Sequence, residues 1–290
     1  MHNLRARIPM MLHKNVAFLE VLALIGIFVA ATPAAAHQLW IETAPVGKVS
    51  RQQKVHVCWG HSGAKETGEM LRKQQSKLRA SVIGPDGKRQ PLKLAPGGDD
   101  YTATMTPDAP GYYTIGAELQ VGILNKELHG IPANTRIVMY GKKLVHVLGS
   151  EKGRNNQLGS DLEIVPVTDP GDLQPGRPVT AKVLFKGKPL TGRKIEISLQ
   201  TTGPEETPED AKVDSRQWSI RAHPTPPNAQ VTFPLITGGQ HQFYIRYFDE
   251  TPGRYEGNLN ENTPFSHLRK GDTYNRTMYV STLTIDVKAR

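Results

Sequence analysis

Two histidines, His37 and His61, are the residues whose type and placement point most directly to chemistry. His37 follows Ala34-Ala35-Ala36, a run of small residues typical of a signal-peptidase cleavage site. Cleavage there would give His37 a free α-amine, and an N-terminal histidine chelates a metal through that amine and a ring nitrogen. A second histidine opposite it would complete a planar, nitrogen-rich site suited to Cu(II) or Ni(II).

His61 has the placement that such a second ligand needs. It lies in Gly60-His61-Ser62-Gly63, at the end of a predicted strand, where glycines let the backbone bend and expose a side chain. If the strand from Gln38 to Thr43 runs antiparallel beside it, His37 and His61 come close together. Two alternatives stay open: His37 is only the residue after the cut, and His61 is a turn histidine bonded to backbone.

His146 is the third candidate metal ligand. It alternates with Leu144 and Leu148, a pattern equally typical of a half-buried histidine satisfied by a neighbour. The sequence contains no His-x-x-x-His, Cys-x-x-Cys, acidic calcium loop, Walker or Gly-x-Ser-x-Gly motif. We therefore expect no catalytic residues and no organic cofactor, with a triad dispersed along the chain as the alternative.

The first 36 residues predict a cleaved secretory signal peptide. Arg5, Arg7 and Lys14 precede an apolar run from Val21 to Ala31, which is too short to span a bilayer. An uncleaved anchor is the alternative interpretation. We expect a mature protein that begins at His37, lies in a bacterial periplasm and has no membrane-spanning segment after cleavage.

Composition limits the partners and the covalent cross-links to be expected of the remaining chain. Removing residues 1–36 leaves 254 residues and lowers the formal net charge from +9 to +7, because that segment carries three Lys/Arg and one Asp/Glu. The basic residues are scattered rather than massed in runs, so we expect no nucleic-acid partner. The single cysteine, Cys58, excludes an internal disulfide and is typical of a small buried apolar residue.

The elements that would position these residues are strands. Short alternating runs separated by Pro, Gly, Asn and Asp turns predict an all-β protein. In one such run Val55, Val57 and Trp59 share a face, and His56 and Cys58 share the other. The charged segment from Ala64 to Lys77 is expected to hold one short helix.

A polar stretch between Gly149 and Asp161 predicts a boundary. It gives two immunoglobulin-like β-sandwich modules in tandem, an N-terminal one at residues 37–160 and a C-terminal one at residues 161–290. Two long irregular stretches follow in the second module. For the stretch from Gly203 to Asp214, rich in Pro and Glu, we expect disorder. For the stretch from Asp249 to Tyr274, two interpretations stay open: a functional loop or a disordered one.

A likeness to a known family is carried by six segments: His37–Glu42, Val55–His61, Val82–Gly87, Gly111–Gly116, Val183–Leu190 and Ser281–Ile285. Together they resemble the bacterial periplasmic domain of unknown function 4198 family, often described as cobalt/nickel transport periplasmic components. The resemblance implies a periplasmic, two-part β protein concerned with metal uptake or homeostasis. The chain departs from that pattern in its Pro/Glu insert at Glu205 to Asp210 and in lacking the acidic, His-rich tracts of a high-capacity metal buffer.

The function expected from these features is non-enzymatic binding of one transition-metal ion, nickel, cobalt or copper, for uptake or homeostasis. His37 and His61 are the first-choice ligands, His146 is the third, and a membrane transporter component is the expected protein partner. The alternative is a structural or interaction module, accessory to an outer-membrane or ABC-type transporter, with no metal site. A copper oxygenase with an N-terminal histidine ranks third.

Overall fold

The computed structural model describes residues 37–61, 64–66, 68–202, 218–224, 226–235 and 237–288. The expected signal peptide at residues 1–36 lies outside the described residues, as does the whole stretch from Gly203 to Asp214 with its Pro/Glu insert at Glu205 to Asp210. In the described part, no helix is long and apolar enough to cross a membrane.

The described chain is nearly all β. One α-helix, α1 (Gly68–Arg72), falls inside the segment expected to hold a short helix, and 3-10 turns occupy Gln75–Lys77 and Pro170–Asp172. The strands of the first half are β1 Gln38–Glu42, β2 Val46–Gly47, β3 Gln53–His61, β4 Ala64–Lys65, β5 Leu78–Ile83, β6 Arg89–Pro91, β7 Ala95–Pro96, β8 Asp100–Met105, β9 Gly111–Leu124 and β10 Thr135–Val147. Those of the second half are β11 Leu162–Pro166, β12 Pro178–Phe185, β13 Lys188–Pro189, β14 Lys194–Thr202, β15 Trp218–Pro224, β16 Gln230–Pro234, β17 Gly239–Asp249, β18 Gly253–Arg254, β19 Asn260–Asn262, β20 Ser266–Arg269, β21 Thr273–Tyr274 and β22 Arg276–Val287.

In the described part of the chain, the central sheet has eleven strands, and they come from both halves. Its order is β15-β14-β17-β22-β10-β9-β20-β19, with β2 beside β10, and with β5 beside β9 and β6 beside β5. Within it, β10 runs antiparallel to β9 and parallel to β22, from the pair Thr135 and Arg276 to the pair Lys143 and Thr284. Both β9 and β10 are almost continuously buried, as expected of strands covered on both faces.

The N-terminal sheet, β1-β3-β8-β7 with β4 beside β3, packs on one face of the central sheet. The alternation predicted for β3 is confirmed: Val55, Val57 and Trp59 belong to the first hydrophobic core, whereas His56 is half-buried and lies on the other face. Cys58 is buried, as expected, on that same other face. This first core also takes side chains from β5, β9 and β10.

The C-terminal sheet, β11-β12-β13 with β16 beside β12, packs on the opposite face of the central sheet. Its Ile164 and Val183 meet Phe243, Ile245 and other buried side chains of the central sheet in a second core. A buried ion pair links the layers, because Lys142 Nζ on β10 lies 2.6 Å from Glu163 Oε1 on β11.

The shared central sheet differs from the expected pair of separate modules, 37–160 and 161–290. The described residues from His37 onward form one compact unit, and β10 from the first half pairs directly with β22 from the second. The physical reason lies in β10, whose alternate side chains are apolar on both faces, for example Met139 in the first core and Tyr140 in the second. A strand with two apolar faces needs cover on both, and here the N-terminal sheet covers one face and strands of the second half cover the other.

The long stretch from Asp249 to Tyr274 is ordered by short pairings. β18 pairs with β21, β19 pairs with β20, and β20 extends the central sheet along the end of β9. A small third core of Ile123, Tyr255 and Leu268 attaches the stretch to β9. Of the two interpretations left open, the structure therefore rules out disorder for this segment.

Candidate functional site

The end of the β1 and β3 pair is where the first two candidate ligands meet. The two strands run antiparallel, as the proximity of His37 and His61 requires, and their register ends with Gln38 opposite Gly60. Continued by one residue, that register sets His37 across from His61. The backbone of His61 then pairs with Ala64 of β4, so His61 lies within a strand, although its side chain is outside the described part.

The imidazole of His37 is held from two sides. Its Nε2 donates to Glu66 Oε1 at 3.0 Å, and its ring stacks on Trp59 with centroids 4.5 Å apart and an interplanar angle of 19°. Glu66 is placed by the return of the chain through β4, because its backbone N–H donates to the carbonyl of Trp59 at 2.9 Å. The histidine and glutamate side chains are each 28% exposed, so the pair sits at the protein surface.

A second set of polar side chains occupies the other face of the N-terminal sheet. Lys65 Nζ lies 2.9 Å from Glu42 Oε2 and 3.2 Å from Asp100 Oδ2, and Asp100 Oδ2 also accepts a hydrogen bond from His56 Nδ1 at 2.9 Å. Trp40 Nε1 donates to the remaining oxygen of Glu42 at 2.8 Å. Lys65 is the last residue of β4 and Glu66 follows it. Two neighbouring residues therefore contact opposite faces of the N-terminal sheet.

The charges in this set change the pKa values of its members. Burial acts to lower the pKa of Lys65, but the hydrogen bond and charge of Glu42 and the hydrogen bond to Asp100 outweigh it and raise that pKa. Burial acts to raise the pKa of Glu42, and the contacts from Lys65 and Trp40 lower it overall. For Cys58, burial and the charge of Glu42 raise the thiol pKa strongly. These surroundings favour the neutral thiol form of Cys58.

The structure places His146 apart from His37. Its ring stacks on Tyr112 with centroids 4.1 Å apart and an interplanar angle of 4°, and its Nε2 donates to the carbonyl of Ser150 at 3.1 Å. Its backbone N–H donates to the carbonyl of Pro45, which lies beyond the end of β1 opposite to His37. This is the packing expected of a half-buried histidine satisfied by neighbours.

Among the described residues, no three or more His, Cys, Asp or Glu side chains are grouped so as to hold a metal ion. The strand end therefore supplies one described imidazole with its carboxylate, and a second histidine across the register. The sequence did not predict that Glu66 and Trp59 contact the imidazole of His37. Glu66 lies in a charged segment that indicated only a helix, and its contact with His37 depends on β4 folding back on β3.

Comparison with known proteins gives a family but no described activity. A model of the family described as Domain of unknown function (DUF4198) matches residues 34–249. No curated protein matches the chain.

Similar solved structures include a DUF4785 family protein from Legionella pneumophila, with 13% identity and a TM-score of 0.25 over 81% of this chain and 54% of that chain. They also include a marsupial T cell receptor, with 9% identity and a TM-score of 0.24 over 84% of this chain and 73% of that chain. The chain thus spans about half the length of the Legionella protein.

Proposed function

This chain belongs to the family described as Domain of unknown function (DUF4198), and from that premise we propose that its exported form binds one transition-metal ion, copper, nickel or cobalt, at His37. The export segment is residues 1–36, removed by cleavage after Ala36, and the protein acts in the periplasm. Its role is metal uptake or homeostasis by capture and transfer, without catalysis, and its protein partner is a membrane transporter component.

The contact between His37 and Glu66 carries the proposal. Ligating histidines usually donate their other ring N–H to a carboxylate or carbonyl, which orients the ring and makes the ligating nitrogen more basic. A chelate formed with the α-amine of the same residue uses Nδ1, and Glu66 binds the opposite nitrogen, Nε2. With the proton on Nε2, the neutral imidazole carries its lone pair on Nδ1.

The register of β1 and β3 supports a second ligand at the same place. The register ends with Gln38 opposite Gly60, and continued by one residue it sets His61 across from His37. Gly60 has φ +151°, a conformation that few other residues adopt. An α-amine has a pKa of about 7.7 to 8.0, so little free energy is needed to deprotonate it at neutral pH. Amine and imidazole nitrogens in such a set favour Cu(II) and Ni(II).

The test compares two forms of the purified protein that both begin at His37, one with a free α-amine and one with that amine acetylated. Acetylation keeps the imidazole but converts the amine into an amide, which is a poor ligand and leaves no terminal amine in its place. We expect the free form to bind one equivalent of Cu(II) or Ni(II) in calorimetric titration at pH 7.4, and the acetylated form to bind at least tenfold more weakly.

Equal affinity in both forms would exclude the chelate. Absence of binding in both would exclude the metal site. Intact-mass measurement of the exported protein checks the premise, because the expected mass is that of a chain beginning at His37.

One observation favours the second candidate function, an interaction module without a metal. Large apolar side chains are exposed near one end of the protein: Val46 (50%), Leu148 (67%) and Val167 (46%). Val46 and Leu148 line a cleft of about 330 Å³ together with His146 and residues of β22. Exposed apolar groups around a cleft are typical of protein contact surfaces. If both forms fail to bind metal, this apolar end becomes the leading candidate for function.

A further inference from the structure

A basic pocket lies far along the chain from His37 in a part of the fold that the proposed function does not use. It has a volume of about 640 Å³ and lies between the start of β5, the outer ends of β9 and β10, and the segment from Arg254 to Leu259. Four cations line it: Lys77, Arg79, Arg136 and Arg254. Two carboxylates, Glu118 and Glu256, also line it, so its formal charge is positive.

The four cations have no carboxylate within ion-pair distance among the described residues. Arg79 donates to the carbonyls of Ser76 and Leu78, and Lys77 donates to the carbonyl of Val121. Neutral carbonyls do not compensate the charge of a cation, so the positive charge of the pocket remains available to an anion.

Arg136 is held in a fixed orientation. Its Cζ lies 5.6 Å from the ring centroids of both Tyr255 and Tyr274, and Nη2 donates to Gln120 Oε1 at 2.8 Å. Its Nε is buried without a hydrogen-bond acceptor among the described residues. A guanidinium already held by aromatic rings and a hydrogen bond loses little further entropy when it binds a planar carboxylate or a phosphate.

Lys77 is the buried member of the set, with 2% of its surface exposed. Burial lowers its pKa, and the charge of Glu261 opposes this only in part. A buried ammonium without a counter-ion costs free energy, which a bound anion would offset. The lowered pKa of Lys77 agrees with its position as a buried cation that has no ion-pair partner among the described residues, which is what an anion site provides.

We propose that this pocket binds a small organic anion bearing carboxylate or phosphate groups, with Arg136 as the oriented contact and Arg79 and Arg254 closing on it from the rim. The volume accommodates a molecule of the size of a tricarboxylate, and the ring of Tyr255 gives its carbon skeleton an apolar wall. The site is separate from the proposed metal chelate, so neither proposal depends on the other.

The experiment is calorimetric titration of the metal-stripped protein with citrate, succinate and inorganic phosphate at constant ionic strength. The form with an acetylated α-amine at His37 is used, so that the presence or absence of the metal chelate cannot influence the result. We expect at least one of the three probes to bind with 1:1 stoichiometry, more weakly as salt increases. A preference for citrate or succinate identifies a carboxylate ligand, and a preference for phosphate identifies a phosphorylated one.

Variants that remove one positive charge test whether the anion binds in this pocket. Arg254→Gln and Arg79→Gln change exposed side chains and should leave the fold intact, and each should weaken binding about tenfold by removing one charge-assisted contact. Arg51→Gln, an exposed arginine outside the pocket, should leave the affinity unchanged. Absence of binding by all three probes overturns the proposal, as does binding that neither pocket variant weakens.

Discussion

The Nε2 atom of His37 lies 3.0 Å from Oε1 of Glu66, although the two residues are 29 positions apart in the chain. The contact exists because β3 and β4 form a tight antiparallel pair that brings Glu66 back beside Trp59. It gives the N-terminal strand an imidazole whose orientation is determined by the fold. Our first prediction concerns this carboxylate.

Glu66→Gln should weaken Cu(II) or Ni(II) binding by the form that begins at His37 with a free α-amine. The amide retains the shape of the side chain but loses the charge that polarises the imidazole, and loss of such a carboxylate typically costs 10- to 100-fold in metal affinity. Calorimetric titration at pH 7.4 measures the change. Glu69→Gln is the matched control, because Glu69 is an exposed carboxylate three positions away that pairs with Lys73. Equal affinity in the two variants would mean that Glu66 takes no part.

Gly141→Ala should destabilise the protein by about 1 to 3 kcal/mol, because β1 crosses β10 at this glycine. A Cβ there would lie 3.1 Å from the Leu39 carbonyl oxygen and from Trp40 Cα, both of them backbone atoms of β1. Thr282 Oγ1 also donates to the Leu39 carbonyl at 2.6 Å, so β1 has little room to shift. Urea unfolding measures the loss. Gly98→Ala, where a Cβ would have no neighbour within 4 Å, should change stability by less than about 0.5 kcal/mol.

The stability of the protein should fall as the pH drops below 6.5, in part through His241. This histidine is buried, and burial lowers its pKa below 6.5 despite the hydrogen bond to the Thr237 carbonyl and the charge of Asp286. The unfolded chain therefore takes up a proton at a higher pH than the folded chain. The contribution of His241 to the free energy of unfolding is fully present above pH 6.5. It is lost as the pH falls through the lowered pKa, by at most about 1.4 kcal/mol per pH unit.

His241→Gln should reduce this pH dependence, measured by urea unfolding at several pH values between 5 and 8. His129→Gln is the control, because His129 is exposed. An unchanged slope in His241→Gln would show that other groups account for the acid sensitivity.

A fragment of residues 37–160 should not fold cooperatively. Without β22, the edge of β10 from Thr135 to Lys143 has no partner strand, and Val138, Tyr140 and Leu144 lose their cover. Exposing each of these side chains costs about 1.5 to 3 kcal/mol, a large share of the stability of a small domain. Denaturant titration followed by circular dichroism tests this. A single cooperative transition in the fragment would show that the first half is an autonomous module.

Local sequence pattern was sufficient for several features of the fold. The period-2 alternation of β3 predicted which side chains face the first core, and it did so because neighbouring side chains of a strand necessarily point to opposite faces. The residue type of a lone cysteine predicted that Cys58 is buried, and the charged segment from Ala64 to Lys77 indicated the short helix that is α1. His37 and His61 were singled out from cleavage chemistry and from their flanking residues alone.

Pairing between distant segments required the tertiary structure. The parallel pair of β10 and β22 sets Lys143 opposite Thr284. The contact of His37 with Glu66 depends on the pairing of β4 with β3. The periodicity of the sequence predicts neither pairing. Alternation in a strand states which side chains share a face but not which strand lies beside it, because backbone hydrogen bonds are the same for every partner. The sequence by itself therefore determined an all-β chain and its candidate ligands. The partner strands, the shared central sheet and the basic pocket were decided by the tertiary structure, because the burial of both faces of β10 selects among many possible pairings.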